Sequence, residues 1–166
     1  YEQGPQLGSG GFGAVFSGTR LSDGSPVAIK CVARERVLEW DELPDGTRVP
    51  MEVALMEKVG SGCPNIIQLL DWFELPDSFM LVMERPERSQ DLLNLLLEQE
   101  FLSEEAACWL FCQVLEAVRY CTACCVLHRA IKPDNLLVNP DTGDLKLIDF
   151  GCGTFLQEEA FTVFAG

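Results

Sequence analysis

The hydrophobic pattern of this chain changes near Ser89, and that change limits the folds that the chain can adopt. Before Ser89, short apolar runs are separated by glycine, proline and aspartate, a pattern typical of β-strands and turns. The pattern predicts three strands within residues 1–32 and two more at Ile66–Trp72 and Phe79–Glu84. One helix is expected from Pro50 to about Val59, because proline favours the first helical position.

After Ser89 the pattern becomes helical. Ser103 is a favourable N-cap, and apolar residues recur behind it at spacings of three and four, so we expect a helix that ends near Cys121. Its apolar face comprises Ala107, Leu110, Phe111, Val114, Leu115 and Val118. A β-hairpin is expected at residues 136–148, whereas the polar connector Arg34–Arg48 is expected to form a loop and a short helix. The order of elements indicates an α+β fold.

The charge balance restricts the partners. Twelve basic residues against 26 acidic residues give a formal net charge of −14 at pH 7. Nucleic acid is therefore not expected as a partner, because phosphate binding requires a basic face. An acidic surface attracts basic peptides instead. The apolar content of 48% is ample for a packed core.

The eight cysteines are expected to be structural and reduced, in an intracellular protein. Cys121 and Cys124 form a C-x-x-C pair, but a zinc site would need a second pair of ligands, and the single histidine, His128, has another role. Neither a signal peptide nor an apolar run long enough to cross a membrane is evident. We expect no membrane contact, and a cytoplasmic location with the nucleus as a second compartment.

A glycine-rich segment, Gly8-Ser9-Gly10-Gly11-Phe12-Gly13-Ala14-Val15, fits the pattern G-x-G-x-x-G-x-V. Glycines let the backbone approach phosphate groups closely. A dinucleotide-binding fold uses a similar string but requires a helix that opens on the last glycine. Here strands follow, and Val27-Ala28-Ile29-Lys30 belongs to one of them. The sequence therefore favours a phosphate-binding loop between strands.

Lys30 ends an apolar strand, from which its amine can reach phosphate groups. Glu52, at the start of the next helix, is well placed to hold that amine as an ion pair. A lysine that extends into solvent and a solvated glutamate would be the alternative. The neighbouring motifs favour the pair.

A second motif lies in Val126–Asn135, which contains His128-Arg129-Ala130 followed by Lys132 and Asn135. It matches H-R-D-x-K-x-x-N, the catalytic loop of protein kinases, with alanine where the aspartate stands. In that loop the aspartate accepts the proton of the substrate hydroxyl and the asparagine holds a magnesium ion. Asp149-Phe150-Gly151, fourteen residues after Asn135 (149 − 135), matches the metal-binding D-F-G motif. The chain therefore resembles a eukaryotic protein kinase.

In detail the chain resembles the PIM group of serine/threonine kinases. The segments that carry this closer resemblance are Leu43–Val53, Leu70–Glu74, Pro76–Phe79 and Glu84–Glu87. The resemblance implies a two-lobed α+β kinase fold that binds ATP and Mg²⁺ between the lobes and phosphorylates proteins with arginine upstream of the target serine or threonine. It divides residues 1–166 into a complete N-lobe (1–84), a hinge (85–88) and the start of a C-lobe (89–166).

The resemblance also implies the site residues. The catalytic set would be Lys30, Glu52, Lys132, Asn135 and Asp149, with Ala130 at the position of the base and with Asn135 and Asp149 holding Mg²⁺. The residues that would contact ATP are Leu7, Gly8, Ser9, Gly10, Gly11, Phe12, Gly13, Ala14, Val15, Ala28, Lys30, Glu84, Asp91 and Leu137. Asp91 and Asp134 would face arginine-rich protein or peptide substrates.

Departures from the kinase pattern leave three functions open. Ala130 has no atom that accepts a proton, and the chain ends at Gly166, within the activation segment. We therefore expect a fragment or truncated product that self-associates, whereas the complete domain would be a monomer. The chain is expected to be a serine/threonine kinase weakened by Ala130, a pseudokinase that binds nucleotide or partners, or a non-functional truncated relative.

Overall fold

The computed structural model of the chain describes residues 1–10 and 13–165. These residues group into two compact units. The first unit comprises Tyr1–Glu57 and Gln68–Glu87, and the second comprises Lys58–Ile67 and the residues from Arg88 onward.

The first unit contains an antiparallel sheet. Its strands, in chain order, are β1 (Glu2–Gly10), β2 (Gly13–Thr19), β3 (Pro26–Ala33), β4 (Trp40–Glu42), β5 (Arg48–Pro50), β6 (Leu69–Glu74) and β7 (Ser78–Glu84). Five of them form one sheet in the order β1-β2-β3-β7-β6. Alternate residues of the central strands point inward. Among them, Val27, Ile29 and Val82 form a buried core cluster on this sheet. The five predicted strands and the α+β fold are confirmed.

The connector between β3 and the first helix differs from its prediction. Arg34–Arg36 form a single 3₁₀ turn, but β4 and β5 then pair as a hairpin. Its turn closes where the Asp45 carboxylate accepts a hydrogen bond of 2.9 Å from the Thr47 N–H and Gly46 adopts a φ of 86°. Strands of three residues are too short to show an alternating pattern, so the sequence indicated a loop and a short helix there rather than a hairpin.

Helix α1 spans Met51–Val59 and follows this hairpin directly. The prediction placed Pro50 at its first position, whereas Pro50 is the last residue of β5, opposite Trp40. Trp40 is covered by two arginines, with the guanidinium carbons of Arg34 and Arg48 lying 5.4 and 4.6 Å from its ring centroid. Trp40 also makes an edge-on contact with Phe79 of β7, so aromatic contacts hold the hairpin against the five-stranded sheet.

The second unit combines helices with short strands. Its elements are β8 (Gln90–Asp91), α2 (Leu92–Gln99), α3 (Glu104–Ala123), β9 (Val126–Leu127), β10 (Leu136–Val138), β11 (Leu145–Leu147) and β12 (Thr154–Phe155), with a 3₁₀ turn at Pro133–Asn135. Strands β11, β10 and β8 form one small sheet, and β12 pairs with β9. Asp91 caps α2, and the Ser103 hydroxyl caps α3 by accepting a bond of 3.1 Å from the Ala106 N–H. The predicted cap and the predicted hairpin, observed as β10 and β11, are confirmed.

The inward face of α3 includes a polar residue. Leu110, Gln113, Ala117 and Cys121 are buried, whereas Phe111 remains 62% exposed. The side-chain amide of Gln113 donates a hydrogen bond of 2.8 Å to the Gly143 carbonyl and accepts one of 2.9 Å from the Leu145 N–H. The amide is therefore hydrogen bonded although it is buried.

The apolar face predicted for α3 is therefore only partly inward. Leu110 is buried and Val114 and Val118 are half-buried, but Ala107, Phe111 and Leu115 face solvent. The helix thus presents apolar side chains to water at Phe111 and Leu115. None of the helices among the described residues is long and apolar enough to span a membrane.

Residues 58–67 are attached to the second unit by hydrogen bonds and a β-bridge. Asn65 donates to the Gln113 side chain (3.1 Å) and to the Leu145 carbonyl (3.0 Å), and Ile66 forms a parallel bridge with Leu147. These bonds explain why β6 begins at Leu69 rather than at Ile66 as predicted. The predicted lobe boundaries at residues 84 and 89 stay a prediction.

Candidate functional site

The glycine-rich segment forms the end of the β1–β2 pair. Ser9 lies opposite Ala14, and Gly8 lies opposite Val15. Gly13 has a φ of 140°, and a Cβ at this position would overlap the carbonyl oxygen of Cys31, whereas a Cβ at Gly8 would meet nothing within 4 Å. Only glycine fits at Gly13 without strain. Of the predicted phosphate-contacting residues, Gly11 and Phe12 lie outside the described residues.

Lys30 and Glu52 meet in the interior of the first unit. Lys30 lies on β3 between Val15 of β2 and Leu81 of β7, and Glu52 lies in the first turn of α1. The Lys30 Nζ donates to Glu52 Oε1 at 2.7 Å, and their side chains are only 6% and 8% exposed. The structure thus contains the ion pair that the sequence predicted, and the pairing compensates the burial of two charges.

The residues predicted to contact adenine in the first unit lie on its sheet. Val15 and Ala28 are half-buried on β2 and β3, and Leu7 is 55% exposed on β1. Glu84 ends β7, where its side chain accepts 2.9 Å from the Gln68 N–H. In the second unit, Leu137 pairs with Asp91 across β10 and β8. The Asp91 carboxylate binds both the backbone N–H and the side-chain amide of Asn94, at 2.8 and 2.6 Å. Contact of these residues with ATP stays a prediction.

The catalytic-loop segment is held by His128. Its Nε2 lies 2.9 Å from the Ile148 carbonyl oxygen, and the Ala130 N–H donates to its Nδ1 at 3.2 Å. Because Nδ1 accepts, Nε2 carries the proton and the ring is neutral. The pKa of His128 is lowered, and burial is the main cause. The hydrogen bond to Ile148 and the negative charge of Asp149 act in the opposite direction but have smaller effects. The ring also packs edge-on against Phe150, 4.8 Å between centroids.

Asn135 ties the two ends of this loop together. Its side-chain amide donates 2.9 Å to the Ala130 carbonyl, and its backbone carbonyl accepts 2.9 Å from the Ile148 N–H. The amide nitrogen is thereby committed to the loop, and the amide oxygen is a type of ligand that Mg²⁺ accepts.

Asp149 lies two residues beyond the end of β11, in a left-handed conformation with a φ of 62°. Its carboxylate accepts 3.1 Å from the Gly151 N–H. A carboxylate and an amide oxygen form an oxygen-only donor set, which suits Mg²⁺ rather than a soft metal. Asp149 and Asn135, both in the second unit, therefore fit the predicted metal.

Arg129 connects the loop to the segment after the D-F-G motif, a role that was not predicted from the sequence. Its guanidinium donates to the carbonyl oxygens of Cys152 (2.7 Å) and Gly153 (3.4 Å). Arg129 itself has a φ of 64°, which turns the chain between His128 and Ala130. The only signal in the sequence was the His-Arg pair, and the backbone acceptors of its guanidinium cannot be recognised from residue types.

Ala130 occupies the position of the predicted base in an intact loop. Its side chain is 6% exposed, and both its backbone N–H and its carbonyl are hydrogen bonded, to His128 and Asn135. Lys132 and Asp134, further along the loop, are exposed. The loop keeps its shape, and only the proton-accepting group is missing at residue 130.

Comparisons with known proteins identify the family. The model of the protein kinase domain matches residues 1–166. The chain is 43% identical to the serine/threonine-protein kinase pim-2 of Danio rerio, across all of this chain and 56% of the relative. It is 39% identical to the serine/threonine-protein kinase prk-2 of Caenorhabditis elegans, across all of this chain and 37% of the relative. A PAS domain-containing serine/threonine-protein kinase of Mus musculus is 37% identical over 96% of this chain and 12% of the relative.

The chain spans about half, or less, of the length of these relatives. The five-stranded antiparallel sheet, the buried Lys30–Glu52 pair and the loop from His128 to Asn135 agree with the family match over the whole chain. The chain belongs to the protein kinase domain family and is of the PIM type.

Proposed function

We propose that this chain is the nucleotide-binding part of a serine/threonine protein kinase, and that it binds Mg-ATP but transfers the γ-phosphate weakly. The observation that carries the proposal is Ala130, which replaces the base in a loop whose other hydrogen bonds are in place. Two relatives that match the whole chain are described as serine/threonine-protein kinases.

The retained side chains support the binding of Mg-ATP. Lys30, held by Glu52 at 2.7 Å, supplies a fixed positive charge for the phosphates. Asp149 and Asn135 supply oxygen ligands for Mg²⁺, which neutralises charge on the phosphates when it is bound. The backbone of the glycine-rich segment supplies N–H donors at close approach.

The missing carboxylate accounts for weak transfer. The aspartate of this loop orients the substrate hydroxyl and accepts its proton, and a positioned base contributes about 10²–10⁴-fold in rate. The methyl group of Ala130 does neither. Positioning of the phosphates and electrostatic stabilisation remain, so a complete domain would keep a low rate rather than none.

Arginine-rich protein or peptide substrates suit this chain. Its net charge of −14 attracts basic peptides, and the predicted contacts Asp91 and Asp134 are carboxylates. Asp134 is exposed beside Asn135, whereas Asp91 already caps α2. Of the two, Asp134 is therefore the better candidate for an arginine of the substrate.

Ala130 also favours a second function. The chain would then be a pseudokinase that acts through nucleotide binding alone. Both functions require the Lys30 site, and they differ only in phosphoryl transfer. A non-functional relative would bind no nucleotide.

The binding of Mg-ATP is tested by titration calorimetry on the chain and on two lysine variants. We expect Lys30→Met to weaken or abolish the binding heat, because the phosphates lose their fixed cation. Lys58→Met, at an exposed lysine on the same helix as Glu52, is the matched control and should bind as the parent does. Equal affinities for all three proteins, or no binding by the parent, would contradict the proposal.

A further inference from the structure

Two exposed cysteines lie one helical turn apart on α3, away from the residues assigned to kinase chemistry. Cys108 and Cys112 are four residues apart in the helix, so their side chains project from the same face. Both cysteines are exposed. The helix therefore presents two neighbouring thiols on one exposed face.

A disulfide is a poor outcome for this pair. Side chains four residues apart on a helix have Cβ atoms about 5–6 Å apart. A disulfide requires about 3.5–4.5 Å between Cβ atoms, so the helix would have to distort. A single atom that bridges the two sulfurs adds the missing length, and the helix can then keep its geometry.

Apolar and acidic side chains flank the pair. Phe111 and Leu115 lie on the same face of the helix, at 62% and 44% exposure, and Glu105 and Glu116 lie one turn before Cys108 and one turn after Cys112. Charge on the Cys108 thiol, together with desolvation and the nearby Glu116 carboxylate, raises the pKa of Cys112. Cys112 is therefore a protonated thiol near neutral pH, beside the exposed Phe111 and Leu115 side chains, which can contact an organic substituent.

We propose that Cys108 and Cys112 form a two-thiol site for one soft, thiophilic centre that carries an apolar group, an aryl-substituted trivalent arsenic being the chemical type. Soft centres prefer thiolate ligands, and an aryl arsenic needs only two of them. Zinc is disfavoured, because it requires four ligands and no group of three metal-ligating side chains occurs among the described residues.

The binding step is balanced without an oxidant. With phenylarsine oxide as the probe, two arsenic–sulfur bonds form and the arsenic–oxygen bond breaks. The two thiol protons and the oxide oxygen leave as one water molecule, and arsenic stays trivalent. The phenyl ring is then positioned to pack against Phe111 and Leu115.

The site is tested by adding phenylarsine oxide to the 166-residue chain in the presence of excess glutathione and measuring intact mass. We expect one adduct per chain that glutathione does not remove, because a monothiol cannot replace a chelating pair. Cys108→Ser and Cys112→Ser should each weaken retention by roughly 10²-fold, the usual scale of a lost second attachment. Cys125→Ser, at another exposed cysteine, is the matched control and should retain the adduct.

A competing pair is available at Cys124 and Cys125, which are adjacent in sequence. Peptide mapping of the adduct on the unmodified sequence locates the arsenic without any substitution, so the result does not depend on a variant that folds poorly. Arsenic bridging Cys108 and Cys112 supports the site. Arsenic on Cys124 and Cys125, an adduct unaffected by Cys108→Ser, or no glutathione-resistant adduct would overturn it.

Discussion

The Lys30–Glu52 ion pair differs from the other ion pairs of the first unit in its burial. Its side chains are 6% and 8% exposed, whereas those of Arg34 and Glu74 are both 44% exposed. A buried charge that loses its partner keeps its desolvation cost, but an exposed one is solvated by water. The two pairs have similar nitrogen–oxygen distances, 2.7 and 2.6 Å, but the loss of a partner has different energetic consequences in each.

Removal of one carboxylate from each pair tests this difference. Glu52→Ala should lower the free energy of unfolding by about 3–5 kcal/mol, because the buried Lys30 loses the Glu52 carboxylate. Glu74→Ala, the control, should cost less than about 1 kcal/mol. Urea unfolding of the two variants gives both values. Losses of equal size would show that the Lys30 charge is not confined as the structure has it.

His128 makes stability depend on pH. Burial lowers its pKa in the folded chain, so the unfolded chain binds the proton more readily below about pH 6.5. The free energy of unfolding therefore falls as the pH decreases from about 6.5 toward the folded pKa. His128→Gln lacks this titration. The stability advantage of the parent over His128→Gln should thus shrink between about pH 7 and pH 5, measured by urea unfolding. An advantage that is constant over this range would contradict a buried neutral histidine.

At the scale of elements, the helices and strands that could be predicted from the sequence are those with a periodic apolar pattern or a recognisable capping residue. The cap at Ser103 and the central strands β3 and β7 follow from residue type and alternation alone. The β4–β5 hairpin escaped prediction because each strand has three residues and its order depends on Trp40 packing against Phe79. The burial of Gln113 was not predicted either, because Asn65, Gly143 and Leu145, to which its side chain bonds, lie 30 or more residues away in the sequence.

The β1–β2 pair depends on one glycine more than on its neighbours. Gly13→Ala should lower the free energy of unfolding by about 1–3 kcal/mol, because alanine is strained at a φ of 140° and its Cβ would overlap the Cys31 carbonyl. Gly8→Ala should stay within about 0.5 kcal/mol, because its Cβ meets only open space. Thermal or urea unfolding compares the two variants. A larger loss at Gly8 than at Gly13 would refute the described hairpin.

At the scale of the molecule, motif order identified the family and most candidate residues before any geometry was known. Spacing in the sequence assigned Lys30, Asn135 and Asp149 to their motifs, and their roles at the site stay predictions. The hydrogen bonds of Arg129 to Cys152 and Gly153 could not be predicted, because backbone carbonyl acceptors carry no sequence signature. The contacts of Gly11 and Phe12 stay predictions.

Exposed apolar side chains on α3 and near the C-terminal end of the chain predict self-association. Phe111 is 62% exposed, and Val163 and Phe164 are 76% and 91% exposed. Apolar patches above a few hundred Å² are uncommon on soluble monomers and promote association. Sedimentation velocity of the 166-residue chain should show mass that rises with concentration, and less so for Phe111→Gln. A monomer at all concentrations would contradict this expectation.

The central claim is that Ala130 alone removes the proton acceptor from an otherwise intact loop. It is tested by restoring the aspartate (Ala130→Asp) in a protein in which the chain is continued by the corresponding C-terminal residues of the zebrafish pim-2 relative. The measurement is the rate of phosphate transfer from Mg-ATP to a serine peptide with upstream arginines, with Lys30→Met as the inactive control. We expect Ala130→Asp to raise the rate about 10²–10⁴-fold over the alanine protein. An alanine protein that already matches its aspartate counterpart would contradict the account.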